Sequence, residues 1–352
     1  MSSKKRTITI GRIKIGGDFP VAIQSMTNTR TCDVERTVSQ IKSLEASGCE
    51  IVRVAVPDEA SAIAVESLVS STEIPLVADI HYDYKLAIKS IESGIHKVRI
   101  NPGNIGAEWK VKEVVKAAKE HRIPIRVGAN SGSLKSDFKH YSPEKALAES
   151  ALSEVRLLEK MSFEEIVISV KSSDVNETVK ANEYIDSKVD YPLHVGVTES
   201  GIGVDGTVKS ALGIGILLSK GIGNTIRVSL PGDPLKEVIV AKSILKALGM
   251  KKGVTIIACP TCGRTEIDVE RLAKRIEKAT RNINESIRIA VMGCVVNGIG
   301  EGSNSDIGIA GTKEGAAIFI DGEIIETVKG EKIEEKFMKY LNKIIKNRRD
   351  NA

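Results

Sequence analysis

Two short stretches near the C-terminus hold the side chains best suited to chemistry: Cys259-Pro-Thr-Cys262-Gly-Arg264 and Met292-Gly-Cys294-Val-Val-Asn-Gly-Ile-Gly-Glu301. Each follows a β-branched run, Val254 to Ile257 and Ile287 to Val291, so the cysteines are expected on loops at strand ends, where side chains can converge. Three thiolates and one carboxylate make four ligands. Cys-x2-Cys, a gap of 31 residues, Cys, and Glu seven positions later departs from a zinc ribbon, which would supply a second Cys-x2-Cys. A redox dithiol would use Cys259 and Cys262 and leave Cys294 unexplained. A 4Fe–4S cluster normally takes four thiolates. Three leave one iron with an oxygen ligand or an open position, so that it can act as a Lewis acid as well as pass electrons. Spacing alone leaves all three options open.

A second set of chemically able residues lies upstream. Four segments share the pattern β-branched, Arg, β-branched: Val52-Arg53-Val54, Val98-Arg99-Ile100, Ile125-Arg126-Val127 and Ile226-Arg227-Val228. In a strand the apolar neighbours pack one way and the arginines the other. His194 sits in the same kind of pattern, and Lys171 ends another strand-like run. Two guanidinium charges about 6 Å apart, at an effective dielectric near 20, repel by about 3 kcal/mol. Asp79 and Glu199 are too few acids to neutralise such a ring. An anion with several phosphate oxygens, gripped bidentately by arginine, would do so. Ser25, Asn28, Asp79, His81, Asn101, Asn130, Ser169, Thr198, Glu199 and Ser229 fall at the ends of these runs and would complete the pocket. Gly201-Ile-Gly-Val-Asp-Gly206 matches the dinucleotide fingerprint only formally, since no βαβ unit opens around it; it reads better as an anion-binding turn.

The elements that must carry these groups repeat one unit. β-Rich runs at 21–25, 51–56, 75–80, 97–101, 124–128, 166–170, 193–197 and 225–229 alternate with helix-like stretches at 34–47, 59–70, 108–121, 144–160 and 204–220. Eight strand–helix units over about 235 residues fit a (β/α)8 TIM barrel better than an open doubly wound sheet. A last barrel helix is expected over 235–248, after the turn residues Leu230 to Pro234. The expectation is an α/β chain of two domains: a substrate-binding barrel, 1–248, and a smaller α+β domain, 249–352, reading β-α-β-loop-β-α, an iron–sulfur domain if its cysteines hold such a cluster.

Composition sets the outer limits. At 352 residues, 41% hydrophobic and 28% charged, the chain reads as a soluble globular protein. No apolar run is long enough for a membrane span, and the basic N-terminus reads as no signal peptide. A net charge of +5 with only 3% aromatics suits small anions better than nucleic acid. Five cysteines without a secretion signal suggest a reducing, cytoplasmic setting, with Cys49 a core residue.

Taken together, Gln24-Ser-Met-Thr-Asn28, Ala78-Asp-Ile-His81, Val98-Arg-Ile-Asn-Pro-Gly-Asn104, Ile125-Arg-Val-Gly-Ala-Asn130, His194-Val-Gly-Val-Thr-Glu-Ser200, Ile226-Arg-Val-Ser229 and both cysteine motifs resemble the bacterial, two-domain 4-hydroxy-3-methylbut-2-en-1-yl diphosphate synthases. The resemblance covers nearly the whole chain. One departure is Ile299, where the family usually has Pro. The resemblance implies a 4Fe–4S cluster held by Cys259, Cys262, Cys294 and Glu301, and reductive opening of a cyclic diphosphate with electrons from flavodoxin or ferredoxin. It implies that Arg53, Arg99, Arg126, Lys171 and Arg227 hold the diphosphate, with Asn101, Asn130, His194 and Ser229 beside it. Glu301 would leave the iron for substrate oxygen, and Glu199 and His81 would handle protons. It also implies a homodimer. Two other classes remain: a dihydropteroate-synthase-like transferase barrel with a structural zinc module, and a non-catalytic iron–sulfur carrier. The carrier leaves the arginine ring unexplained.

Overall fold

A computed structural model describes residues 5–133, 138, 140–281, 283–302 and 304–350; the side chains of 133, 297, 299, 301 and 331 lie outside that description. The chain divides into two compact units, Met1–Met250 and Lys251–Ala352, each with its own apolar core.

The first unit opens with an antiparallel hairpin, β1 (Ile8–Ile10) and β2 (Ile13–Ile15). Eight parallel strands follow: β3 (Ala22–Met26), β4 (Ile51–Ala55), β5 (Leu76–Asp79), β6 (Lys97–Arg99), β7 (Ile125–Val127), β8 (Ile166–Ile168), β9 (His194–Val195) and β10 (Thr225–Ile226). Their order is β8-β7-β6-β5-β4-β3-β10-β9. A parallel bridge between Ile168 and Leu193 brings β8 back to the start of β9 and closes the barrel. All eight strands fall on the runs read from the sequence. Val52, Val54, Val98, Ile100, Ile125, Val127, Ile226 and Val228 pack outward against the helices, as the alternation requires. Ile8, Ile10 and Ile15 of the hairpin meet Ala22, Ile51, Val77 and Val167, inward residues at the strand starts, and form a dry floor. Above that floor most inward residues are polar, and the exception Met26 offers its sulfur to Arg53.

Aspartates start most barrel helices: Asp33, Asp58, Asp83, Asp174 and Asp233 each accept a hydrogen bond from a first-turn amide. Two of these helices, Tyr84–Glu92 and Val175–Asp186, were not expected from apolar spacing. The second buries Thr178 and Asn182 on its inner face, and Asn182 Nδ2 donates to the carbonyls of Val170 and Thr178, so polar residues interrupt the apolar stripe of Val179, Ala181 and Ile185.

The second unit runs β11 (Val254–Ala258), a helix over Val269–Thr280, β12 (Ile287–Met292), a helix over Val295–Gly302, β13 (Ile307–Thr312), β14 (Gly315–Ile320), β15 (Glu323–Val328) and a helix over Ile333–Asp350. The sheet order is β11-β12-β13-β14-β15; the first three strands are parallel and the last two antiparallel. Two features correct the expected β-α-β-loop-β-α. Strands β14 and β15 form a hairpin across Asp321-Gly322, both with positive φ (49° and 84°), the Asp-Gly signal of a tight turn. The glycine-rich stretch after Cys294, loop-like by propensity, is helical.

Candidate functional site

The polar layers of the barrel centre on Asp79, at the end of β5 and 6% exposed. Arg99 Nη1 donates to its Oδ1 at 3.1 Å, Arg53 Nε lies 3.7 Å from Oδ2, and His81 Nε2 lies 3.6 Å from the same oxygen. Arg99 Nη1 is also 2.9 Å from His81 Nε2. Burial pushes the Asp79 carboxyl up, but Arg53, His81, Arg99 and Arg126 outweigh it and hold it below the usual carboxylate range. Burial pushes Arg53 down to about 10 despite Asp79, with Arg227 and Arg99 adding repulsion.

Arg126 on β7 is buried, and its Nη1 has no hydrogen-bond partner. Burial, then Arg53 and Arg99, pushes it well below the guanidinium range. Lys171 Nζ lies 3.2 Å from His194 Nε2, and His194 Nδ1 lies 2.8 Å from Thr225 Oγ1. If Lys171 is protonated it can only donate to Nε2, which leaves the imidazole's proton on Nδ1, facing Thr225. Both groups are held well below their usual ranges, each first by burial; Arg126 adds to this for Lys171, and Lys171 for His194. Gly128 (φ 149°) lets this wall close, because a Cβ there would sit 1.8 Å from the Ser169 carbonyl oxygen.

The remaining sequence-read residues divide between backbone roles and the rim. Asn101 caps a short helix, accepting from the Asn104 amide at 3.3 Å. Asn130 makes a parallel bridge with Lys171 that joins the ends of two strands. Arg227, Ser229, Glu199, Thr198 and Ser200 line a hollow of about 480 Å³ together with Glu237. The Ser229 carbonyl accepts from Ser200 Oγ at 2.7 Å.

One expectation is corrected here. Glu199 does not sit among the cations; it is exposed, with φ 49°, at the rim. The buried acid that pairs with Arg227 is Glu237, on the helix over Pro234–Ala247, with Oε1 3.3 Å from Arg227 Nη2. It was missed because a lone Glu in a helical stretch carries no strand signal. Lys97, fully buried and 3.4 Å from Gln24 Oε1, was also missed, although its place two residues before Arg99 puts it on the same inward face. Arg53, Arg99, Arg126, Arg227, Lys97 and Lys171 thus face Asp79 and Glu237, a cationic excess inside one barrel.

In the second unit Cys259 follows β11, and Cys294 follows β12 on the neighbouring strand. The Gly293 amide donates to Cys259 Sγ at 2.9 Å. Cys262 closes a turn in which its own amide donates to Thr265 Oγ1 at 3.0 Å and its carbonyl accepts from the Thr265 amide at 3.0 Å. Close packing demands Gly311 on β13, since a Cβ there would lie 2.3 Å from the Gly293 carbonyl oxygen. All five cysteines are free thiols. Among the described residues no three His, Cys, Asp or Glu side chains gather as ligands of one metal ion. Glu301 lies on the helix over Val295–Gly302; its side chain and that of Ile299 are outside the described residues. Three free thiols after neighbouring strands of one sheet, with an amide aimed at a sulfur, have the donor chemistry of an iron–sulfur group, although the thiols are not gathered around one point.

Comparison with known proteins decides between the open classes. Residues 5–242 match the GcpE TIM-barrel domain, and residues 255–343 match the GcpE protein C-terminal domain. The chain belongs to the GcpE family. It is 58% identical over 341 residues to the 4-hydroxy-3-methylbut-2-en-1-yl diphosphate synthase (flavodoxin) of Thermotoga maritima, covering 97% of this chain and 98% of that protein. The enzyme of the same name from Caldanaerobacter subterraneus subsp. tengcongensis is 55% identical over 351 residues, covering 98% of this chain and 99% of the other. This GcpE chain is an enzyme, an oxidoreductase. Among solved structures, Geobacillus kaustophilus 3-dehydroquinate dehydratase superposes on 70% of the chain, and 99% of its own, with a TM-score of 0.50 and 17% identity. Yersinia pestis dihydropteroate synthase covers 69% of this chain and 99% of its own, with a TM-score of 0.50 and 11% identity. These two share the barrel fold alone. The transferase reading therefore loses its footing.

Proposed function

We propose that this GcpE chain catalyses the reductive ring opening and dehydration of 2-C-methyl-D-erythritol 2,4-cyclodiphosphate to 4-hydroxy-3-methylbut-2-en-1-yl diphosphate, a step of isoprenoid biosynthesis. Two electrons and two protons enter and one water leaves. The observation that carries the reading is the cationic excess around Asp79 and Arg126, which suits a ligand with two phosphates, in a chain this close to named synthases. In this reading the barrel unit binds substrate. Arg53, Arg99, Arg126, Lys171 and Arg227 hold the diphosphate, Asn101, Asn130 and Ser229 fix the strand ends around it, and His194 sets Lys171. Glu199, exposed at the rim of the same hollow, supplies a proton. His81, tied to Arg99 and half-open to solvent, relays another. Cys259, Cys262, Cys294 and Glu301 hold a 4Fe–4S cluster, which when bound supplies electrons one at a time and Lewis acidity toward oxygen. Flavodoxin or ferredoxin is the donor, and the free thiols suit a reducing, cytoplasmic setting. No helix among the described residues is long and apolar enough to cross a membrane.

Anaerobically purified protein will show about four irons and four sulfides per chain and will convert the cyclic diphosphate when reduced flavodoxin is supplied. Zinc without iron, or iron without turnover, would sink the proposal.

The helix over Gly203–Ser219 supports a homodimer. Val204, Val208, Leu212 and Ile216 recur every four residues and are exposed, Val204 by 78% and Leu212 by 51%. Ile239 on the following barrel helix is exposed too. Such a stripe is self-complementary about a twofold axis and apolar enough to be covered by a second copy. Val208→Glu/Leu212→Glu will shift the mass in light scattering from dimer to monomer and leave the far-ultraviolet spectrum unchanged. A wild-type monomer, or a double variant that stays dimeric, would remove this interface.

A further inference from the structure

Glu237 joins three separate parts of the barrel mouth, and it is only 4% exposed. Its Oε2 accepts from Ser25 Oγ on β3 at 2.9 Å and from Arg227 Nε at 3.4 Å; its Oε1 accepts from Arg227 Nη2 at 3.3 Å and from the Leu230 amide at 3.2 Å. The Nε–Nη2 edge of the Arg227 guanidinium is therefore taken by protein. The Nη1 end is left for a ligand in the hollow that Arg227, Ser229 and Glu237 line. We propose that Glu237 is a positioning residue, an internal counter-anion that aims Arg227, keeps the end of β10 in register with β3, and limits how tightly the mouth holds an anion.

The argument rests on the diphosphate reading of this site. A ring of cations that captures a diphosphate substrate must also release a diphosphate product. Unopposed charge strengthens ground-state binding without speeding the chemistry. A carboxylate fixed beside one cation lowers the net attraction while holding the guanidinium in the geometry that the reaction uses. Ser25 and the Leu230 amide prevent the carboxylate from swinging into the hollow itself.

The test measures two quantities on anaerobically purified holoenzyme: calorimetric affinity for inorganic pyrophosphate, and turnover of the cyclic diphosphate. Glu237→Gln removes the charge and keeps the shape. It will bind pyrophosphate about tenfold more tightly, while kcat falls about tenfold or more. Glu237→Asp keeps the charge and shifts the guanidinium, so pyrophosphate affinity stays within about threefold of wild type while kcat falls about fivefold. A merely structural role would lower affinity and turnover together in both variants, and that result overturns the proposal, as does a folded Glu237→Gln with unchanged affinity. If Glu237→Gln does not fold, Glu237→Asp decides alone, and any pattern other than held affinity with reduced kcat overturns it. Wild-type protein that turns over substrate but gives the wrong variant pattern sinks only the role of Glu237. Wild-type protein that binds no pyrophosphate sinks the diphosphate reading and this inference with it.

Discussion

Alanine in place of any one of Cys259, Cys262 or Cys294 will lower turnover about a thousandfold or more, and pyrophosphate affinity will stay within about twofold of wild type. The two halves of this expectation follow from the division of the chain. The three thiols belong to a unit with its own core, built on β11, β12 and β13. The cations belong to the barrel, whose core is separate. In the proposed ligand set, removing a thiol would leave the cluster one ligand short and so interrupt the electron supply that the proposed reaction needs. Arg53, Arg99, Arg126 and Asp79 all belong to the barrel unit and are kept in each variant, so anion capture is expected to persist. Cys49→Ala is the control. That thiol is buried against the Ile23 and Ile51 carbonyls and pushed up to about 12, chiefly by burial, so it is a core group and the variant should keep its iron. Iron content, visible absorption and calorimetry on each variant check the expectation. Wild-type iron and turnover in any of the three alanine variants would take that cysteine out of the ligand set.

Much of this arrangement could be read from residue order, because strand alternation is a strong rule. With a β-branched residue on either side, an arginine has one face left to occupy, and Arg53, Arg99, Arg126 and Arg227 all occupy it. The same rule contained Lys97, two positions before Arg99, but a buried lysine has no expected partner in sequence and was passed over. Glu237 was illegible for a different reason. It reaches Arg227 from a helix, and helix–strand contacts have no fixed spacing in sequence. Glu199 was misplaced because strand alternation stops where β9 ends, four residues earlier, and a positive φ then turns the chain toward solvent. In the second unit the Asp321-Gly322 turn did carry a hairpin signal. The helix after Cys294 did not, since its glycines argue against helix and its placement against β12, β13 and β14 supplies what propensity lacks.

Asp79→Asn will cost about 3–5 kcal/mol of stability at neutral pH, the range expected when one partner of a buried ion pair is removed. Asp79 is the carboxylate shared by Arg53 and Arg99, and His81 leans on it as well. An amide of the same shape keeps one acceptor oxygen but leaves the guanidiniums facing each other without a counter-charge. The pH dependence separates this from a packing defect. The Asp79 carboxyl is held below its unfolded value, so its contribution is fully present above about pH 4 and is lost as pH falls through the depressed folded value. The stability gap between wild type and Asp79→Asn should therefore be constant from pH 7 to about 5 and narrow below about 4. Urea unfolding across that range measures it. Pyrophosphate should restore part of the loss at neutral pH, because a bound anion replaces the missing charge and stabilises the folded state by mass action. A gap under about 1 kcal/mol, or one that does not narrow in acid, would mean that the cations are balanced elsewhere and that Asp79 is not their centre.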